Sequence, residues 1–483
     1  MIELFSGIGA QIKGTNNTGL FDTKVIATAD IEKDAMVSYA AIHDGLTIEQ
    51  IKSYEDYPSD EDMRNELLTK NIGYDFKKES NPIARMSGDK LKKYWLAMKL
   101  SNNLGDISKI EELPLADFWT YSFPCQDISV AGKQEGLKSV CLDCGFEFEP
   151  MKIKDIQQRN ICPNCGSENL KGSRSGLLKE VERLLVKASD TSTLPKYLLL
   201  ENVKNLVGKQ FIDSFNDWIQ RLDELGYNTY WKVVNAKDCG IPQNRERTFA
   251  VSIRKDIDTT EYEFANPFDL GFRLRDVLDE SVDKKYFLSQ EIQDRLQITD
   301  PTFEKSIVGT TKPEFRTIGQ RDLVYQKDGI MGTLVATDYK QPKQILEDTN
   351  RYIQAGNLSG GKWDKIYESA RRYYSERGIS PTIHTCGGGN KESNVEQIIS
   401  NEETCNRLVR KLTPRESFRL MGFTDKDYEK AEKIGLSDSA GYKQAGNSIV
   451  TNCIELIMEH LYKAQYDNTY KCFDENFTNP QED

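Results

Sequence analysis

The alternation of apolar and polar positions divides the chain near residue 265. Before that point, short apolar runs alternate with helical stripes. Residues 1–5 predict a strand, Ser6-Gly7-Ile8-Gly9-Ala10 a glycine turn, and Gln11 onward a helix. Residues 25–29 predict a second strand, ending at Asp30, and residues 116–123 a β-rich run stopped by Pro124. Leu177, Val181, Leu184 and Ala188 recur at helical spacing. Phe211, Phe215, Ile219, Leu222 and Leu225 do the same and stop at Gly226. Residues 197–200, 227–236 and 248–253 predict further strands. Strands and helices in alternation predict an α/β domain on a largely parallel sheet. After about Asn266, short strands and frequent glycines predict a second, mainly β domain reaching about Cys405. Thr413, Pro414 and Glu416 then read as N-cap, N1 and N3 of a helix. Residues 444–448 are expected to start the last helix, with Ile449, Cys453, Leu456, Ile457 and Leu461 as its apolar face.

Composition narrows the class. The 483 residues leave room for two or three domains, and 38% hydrophobic with 29% charged residues describe a soluble chain with a core. No apolar run has bilayer-spanning length, so no membrane association is expected. The start, Met1-Ile2-Glu3-Leu4-Phe5, lacks a basic leader, and a cytoplasmic location is expected. There, the ten cysteines should be buried, metal-bound or catalytic rather than paired in disulfides. The net charge of −12 argues against a surface basic all over. Lys and Arg outnumber acids between 305 and 391, which fits a local basic cleft or an ordinary solvated face.

The candidate chemistry lies at the ends of the predicted strands. Strand, Gly-x-Gly turn, helix, strand and acid open a nucleotide-binding unit. Gly7 and Gly9 let a ligand approach the backbone, and Asp30 can bind a ribose hydroxyl. Ile12 replaces the third glycine of a dinucleotide fingerprint, which favours an adenosine ligand without a pyrophosphate. Asp106, after Gly105, is a candidate contact for the ligand's base. Cys125 follows Pro124 at a strand's carboxyl end, where a thiol is either buried structure or a nucleophile. Glu201, at the end of an apolar run, is a candidate acid with a raised pKa or a helix cap. Arg245 and Arg247 share one face of an extended segment and suit phosphate or carbonyl oxygens. Cys141-x-x-Cys144 and Cys162-x-x-Cys165, each followed by glycine, have the spacing of a zinc ribbon. One structural Zn2+ is expected on these four thiolates; unrelated cysteines or two redox pairs are the alternatives.

Taken in order, these blocks resemble the DNA (cytosine-5) methyltransferases of bacteria and phages. The resemblance rests on Phe5-Ser6-Gly7-Ile8-Gly9, Asp30, Gly105-Asp106, Pro124-Cys125-Gln126 and Glu201-Asn202-Val203. Gln243-Asn244-Arg245-Glu246-Arg247, the run from Arg410 to Phe423, and Gln444-Ala445-Gly446-Asn447-Ser448 complete it. Each block is weak alone; the sequence of them is specific. It implies an α/β, class I S-adenosylmethionine-dependent (Rossmann-like) fold with a smaller, mainly β target-recognition domain, here joined by a zinc-ribbon insertion. The implied organisation is a catalytic domain at 1–265, with an insertion at 43–103 and the ribbon at 137–172. A recognition domain at 266–405, a hinge at 406–439 and a returning C-terminal helix at 440–483 follow.

The same resemblance implies S-adenosylmethionine as cofactor, held by Phe5, Ser6, Gly7, Gly9, Asp30, Ile31, Asp106, Ile107, Pro124, Leu177, Asn447 and Ser448. It implies double-stranded DNA as substrate and a cytosine flipped out of the duplex. Cys125 would add to C6, Glu201 would donate at N3, and Arg247 would sit near O2 with Arg245 beside it or on the phosphates. A monomer is expected, with a cognate restriction endonuclease as a candidate partner. Three departures stand out: Ile31 where the family has an aromatic, the long 43–103 insertion, and the cysteine pairs after the catalytic loop. Lys152, Lys154, Arg159 and Lys171 suit a ribbon that touches DNA, against a plain stability staple. The rival functions are an RNA cytosine-5 methyltransferase, a non-catalytic zinc-ribbon DNA-binding protein and a nicotinamide oxidoreductase. Thr333-Leu334-Val335-Ala336, read as a base-reading surface, favours duplex DNA.

Overall fold

The computed structural model describes residues 1–76, 78–124, 128, 138–153, 155–172, 175–289, 297–298, 306–311, 319–348, 354–357, 372–375, 394–396 and 407–467. The chain forms two compact units, one of residues 1–277, 330–340 and 414–483, the other of 278–329 and 341–413.

The first unit contains β1 (Ile2–Leu4), β2 (Ala27–Ala29), β3 (Phe118–Tyr121), β4 (Ser139–Cys141), β5 (Glu147–Phe148) and β6 (Leu170–Gly172). It continues with β7 (Tyr197–Val203), β8 (Tyr227–Asn235), β9 (Gln243–Asn244) and β10 (Glu246–Arg254). Its main sheet has the order β2-β1-β3-β7-β10-β8. The first four strands are parallel, and β10 runs antiparallel to both neighbours. Strands β1, β2 and β3 are buried at every residue, as expected where both faces of a parallel sheet are covered.

The helices are α1 (Ala10–Asn17), α2 (Lys33–His43), α3 (Ile48–Ser53), α4 (Asp60–Thr69), α5 (Gly88–Leu100), α6 (Leu178–Asp190) and α7 (Ile212–Glu224). The predicted stripes of α6 and α7 bury Val181, Leu184, Phe215 and Leu222 in the main core, with Trp218 added from α7. The 43–103 insertion has its own core around Leu67, Leu91 and Trp95, shared with Met36 of α2 and with Ile434. Gly14 of α1 meets the last helix so closely that a Cβ would lie 2.6 Å from the Thr451 carbonyl oxygen.

Residues 330–340 lie inside the stretch expected to form the recognition domain, yet they group with the first unit. Met331–Gly332 pairs in parallel with β9. The Thr333 hydroxyl donates to the Asn244 carbonyl at 2.7 Å, and Leu334 is buried. This segment therefore packs within the catalytic unit, with Leu334 buried and Thr333, Val335 and Ala336 half-buried. Residues 414–439, expected as hinge, form helices Pro414–Arg419 and Asp425–Lys433 of the same unit.

Residues 444–448 do not start the last helix. They end the helix Asp438–Asn447, Ser448 turns extended (ψ 166°), and the last helix runs Thr451–Tyr466. The break has a physical cause. The carbonyls of Gly446 and Ser448 accept hydrogen bonds from a side chain, Arg245. A Cβ on Gly446 would lie 2.3 Å from the Val335 carbonyl carbon, so only glycine fits there.

The second unit is built on a sheet of Gln297–Ile298, Ile307–Thr310, Leu323–Tyr325, Gln344–Asp348 and Arg407–Lys411, in that order. Its core gathers Leu288, Val308, Val324 and Leu346. Strands Gln354–Asn357, Arg372–Ser375 and Asn394–Glu396 form a separate sheet. Among the described residues, no helix is long and apolar enough to cross a membrane.

Candidate active site

Sheet register assembles the site. Ala29 pairs with Leu4, Leu4 with Tyr121, and Tyr121 with Leu200. The next residues along these parallel strands are Asp30, Phe5, Ser122 and Glu201. They form one row at the carboxyl ends of the strands, where open α/β sheets bind ligands. Pro124 leaves this row half-buried. Cys125 and most of the loop to Gly136, Ile128 excepted, lie outside the described residues.

Glu201 is nearly buried, and the Ser122 hydroxyl donates to its carboxylate. The Arg247 Nε lies 3.2 Å from Glu201 Oε1. Burial raises the Glu201 pKa above the ordinary carboxylate value; the Arg247 and Arg245 charges and the Ser122 bond oppose that rise without cancelling it. Two asparagines fix what surrounds the acid. The Asn202 amide donates to the Phe123 carbonyl at 3.0 Å, tying the exit of β3 to β7. The Asn205 amide donates to the Ile128 carbonyl at 2.6 Å. The sequence reading gave Asn202 only as part of a motif and did not single out Ser122 or Asn205. Their proximity to Pro124 and Glu201 in the motifs was the available signal.

On the other half of the row, Phe5 adopts a left-handed conformation (φ 59°), and its amide donates to the Ala29 carbonyl. Such backbone strain in a non-glycine residue clusters at ligand sites. The Ser6 carbonyl accepts from the Gly9 amide, closing the turn. Asp30 accepts from the Gly7 amide and the Glu32 amide, both at 2.8 Å. Each carboxylate oxygen keeps a second lone pair for a hydroxyl. The Asp106 carboxylate accepts from Ser108 and from the Asn71 amide, the latter at 2.7 Å. A Cβ on Gly105 would lie 2.2 Å from the Lys70 carbonyl oxygen, so the insertion is packed directly against this turn. The Ile31 carbonyl accepts from Gly73. Ile107 is buried, and Leu177 packs half-buried on the same core. Asn447 is exposed and Ser448 buried, at the break before the last helix. Lys443, on the preceding helix Asp438–Asn447, pairs with Glu32, beside Asp30.

Arg245 and Arg247 do not act as a matched pair. Arg245 is 3% exposed and donates to the carbonyls of Leu334 (2.8 Å), Gly446 (3.2 Å) and Ser448 (2.6 Å). Arg245 falls between β9 and β10, and the charges of both guanidiniums reach Glu201 although their bonding partners differ. Arg245 thus clasps residues 334, 446 and 448, while Arg247 reaches Glu201.

The family model described as C-5 cytosine-specific DNA methylase matches residues 71–140 and 164–463. The Type II methyltransferase M2.ScrFI of Lactococcus lactis subsp. cremoris is 31% identical over 96% of this chain and 99% of its own length. The chain belongs to the C-5 cytosine-specific DNA methylase family. The orphan methyltransferase M.SPBetaI of Bacillus phage SPbeta is 25% identical over 95% of this chain and 97% of its own. Among solved structures, the Entamoeba histolytica methyltransferase EhMeth aligns with a TM-score of 0.48 at 15% identity, over 96% of this chain and 97% of its own. The protein is a DNA (cytosine-5) methyltransferase, and its substrate is double-stranded DNA.

This methyltransferase carries a small cysteine module. Strands β4, β5 and β6 form its sheet, in the order β5-β4-β6. Cys141, Cys144, Cys162 and Cys165 bring their sulfurs within 4.8 Å of one another. Cys141–Cys165 and Cys144–Cys162 are each 3.6 Å apart. The two turns are copies of each other. Gly145 and Gly166 are left-handed (φ 72° and 76°) and donate back to Cys141 and Cys162. Cys144 and Cys165 accept from the amides of Phe146 and Ser167. The family model's match passes over residues 141–163, which hold the first pair and the start of the second.

Proposed function

We propose that this methyltransferase modifies a cytosine flipped out of duplex DNA, using Cys125 as the nucleophile and Glu201 as the acid. The observation that carries the reading is the row at the strand ends, in which Ser122, three residues before Cys125, bonds Glu201. Cytosine C5 is a poor nucleophile until C6 is attacked. The Cys125 thiolate forms a bond to C6 while Glu201, whose pKa burial raises, gives its proton to N3. Arg247 faces the O2 side and holds the ring against Glu201. S-adenosylmethionine, when bound, supplies the methyl to C5. A base then removes the C5 proton, the electrons restore the C5–C6 double bond, Cys125 leaves as the thiolate, and N3 returns its proton to Glu201.

The cofactor would lie over Phe5, Ser6, Gly7 and Gly9, with its ribose at Asp30, its adenine between Ile31, Asp106 and Ile107, and Pro124, Leu177, Asn447 and Ser448 completing the site. The open Gly7 backbone supports this, since a Cβ there would meet nothing within 4 Å. The cysteine module fits one structural Zn2+. A tetrahedral zinc thiolate site has sulfurs about 3.8 Å apart, close to the 3.6 Å edges seen here. With relatives called Type II and orphan methyltransferases, the enzyme is read as sequence-specific, of restriction–modification or phage-protection type, with a cognate endonuclease as partner in the former case.

Bisulfite sequencing of the genome of expressing cells tests the reading, with Cys125→Ala as control and metal content measured on the same protein. A recurring methylated motif, absent in the control, and one zinc per chain are expected. An unmethylated genome under good expression would overturn it, and methyl transfer to tRNA rather than duplex DNA would favour the RNA reading.

A further inference from the structure

The 43–103 insertion reaches the cofactor half of the row through the end of one helix. The helix α4 closes in a Schellman turn: the Ile72 amide donates to the Leu67 carbonyl at 3.0 Å, and the Asn71 amide to the Leu68 carbonyl at 2.9 Å. Asn71 holds the left-handed position of that turn (φ 56°), where glycine is the usual residue. An asparagine there keeps a side chain. Its Nδ2 donates to Asp106 Oδ2 at 2.7 Å, and its Oδ1 accepts from Lys109 Nζ at 3.0 Å. An ammonium only donates and an ionised carboxylate only accepts, so the amide has a single orientation.

The same stretch holds both residues read as adenine contacts. The Lys70 carbonyl accepts from the Asp106 amide at 2.9 Å, and the Gly73 amide donates to the Ile31 carbonyl at 2.7 Å. Ile72, between them, is fully buried in the insertion's own core and anchors the stretch. Ser108 supplies the other donors to the nearly buried Asp106 carboxylate, its amide at 3.0 Å and its hydroxyl at 2.8 Å, both to Oδ1. Among the described residues, Oδ1 thus accepts two bonds and Oδ2 one. Each carboxylate oxygen offers two lone-pair sites, so the remaining acceptor site is on Oδ2, and Asn71 fixes where it lies. A site built to accept from an N–H group rejects an analogue that lacks it.

We propose that Asn71 is a positioning residue for cofactor recognition: it aligns the Asp106 carboxylate with the 6-amino group of the adenine. The insertion thereby takes part in choosing a 6-aminopurine over a 6-oxopurine, although none of its side chains need touch the base. The proposal rests on the reading of Asp106 as the adenine contact.

S-adenosylhomocysteine carries the adenine without a transferable methyl, and S-inosylhomocysteine replaces the 6-amino group with a 6-oxo group. Calorimetry on the full-length protein reads both affinities without turnover. Wild type should bind the adenosyl ligand roughly 10- to 100-fold more tightly, the worth of one hydrogen bond to a charged acceptor. Asn71→Gly keeps the left-handed turn and removes only the side chain; it should cut that preference by about tenfold. An unchanged preference, or an equal loss of affinity for both ligands, overturns the proposal, because Asn71 would then only end a helix. Should this variant fail to fold, Asn71→Asp decides. It keeps the shape and turns the donor into an acceptor, so the preference should fall at least as far; a preference kept at the wild-type level overturns the proposal. Asp106→Asn tells the two failures apart. If it leaves the preference intact, Asp106 does not read the base, and the adenine reading falls together with the proposal. If it abolishes the preference while Asn71→Gly leaves it unchanged, the proposal alone falls.

Discussion

Glu3 and Glu201 are both glutamates buried in the same sheet, yet their surroundings differ. Glu3 lies mid-strand in β1 with no exposure. Its oxygens accept from the Ile12 amide at 3.0 Å and the Tyr39 hydroxyl at 2.5 Å. Glu201 lies within β7, level with Ser122, one residue beyond the end of the neighbouring β3, and its partners are the Arg247 guanidinium and the Ser122 hydroxyl. Burial raises both pKa values, that of Glu3 to about 7. Glu3 spends both oxygens on holding α1 and α2 to the strand, whereas Glu201 faces a row of loop residues. On the proposed reading, the same desolvation makes a tie in one place and a proton donor in the other; whether the neighbouring strand still covers the residue separates the two roles.

The largest expected effect tests that separation at Glu201. Glu201→Gln keeps the shape and a donor but has no proton to transfer. Its kcat in single-turnover methylation should fall by about 10²- to 10⁴-fold, with cofactor binding unchanged. The wild-type rate should fall as pH rises through the raised Glu201 pKa, because the neutral acid is then lost. Arg247 opposes the rise in that pKa. Arg247→Ala should therefore move the alkaline limb to higher pH while lowering the rate. An alkaline limb unmoved by Arg247→Ala, or a fully active Glu201→Gln, would assign the acid elsewhere.

Glu3 should answer in stability rather than rate. Its folded pKa of about 7 lies above the ordinary 4.5. A group shifted upward contributes stability that is complete below about 4.5 and is lost as pH rises through about 7. The loss is on the order of 3 kcal/mol, taking 1.36 kcal/mol per pKa unit over the rise from 4.5 to about 7. Asp44, also raised to about 7 by burial, adds a slope of the same sign, so the difference between variant and wild type isolates Glu3. Glu3→Gln can still accept from Ile12 and donate to Tyr39. Its urea midpoint should equal wild type near pH 4 and exceed it above pH 8. A parallel pair of pH profiles would show that Glu3 is ionised without cost.

The parts legible in the sequence were those with local signatures. Apolar runs gave the strands, and helical stripes gave α6 and α7. Gly7, Gly9 and Asp30 marked the cofactor turn, and the two Cys-x-x-Cys pairs marked the module. What escaped were ties between distant residues. Asn71 reaches Asp106 from an insertion without a motif. Arg159 carries the same letter whether it faces DNA or Glu182, and only the fold brings the two together. Strand alternation placed Arg245 beside Arg247 but could not name its partners, the carbonyls of residues 89 to 203 positions away. The break before the last helix likewise follows from Arg245 and Gly446, not from the helical pattern of 444–461.

Asp30 sharpens the comparison because it combines features of both glutamates. Like Glu3, it accepts from backbone amides; like Glu201, it stands in the row at the strand ends. If partners decide the role, Asp30→Asn should behave like a lost structural tie and lower the melting temperature without touching cofactor binding. If position decides, the cofactor should feel it first. In the asparagine, one oxygen becomes an NH2 group. Whichever way the amide turns, that group faces the donor of either Gly7 or Glu32, leaving an unsatisfied contact worth about 1–3 kcal/mol. The disturbance falls on the glycine turn, so the KM for S-adenosylmethionine should rise about tenfold, the equivalent of about 1.4 kcal/mol. The kcat at saturating cofactor should stay near wild type, because Glu201 and Arg247 sit on β7 and β10, at the far side of the row. A fall in kcat without a change in KM would mean that the row acts as one unit, and the division between a cofactor half and a base half would have to be given up.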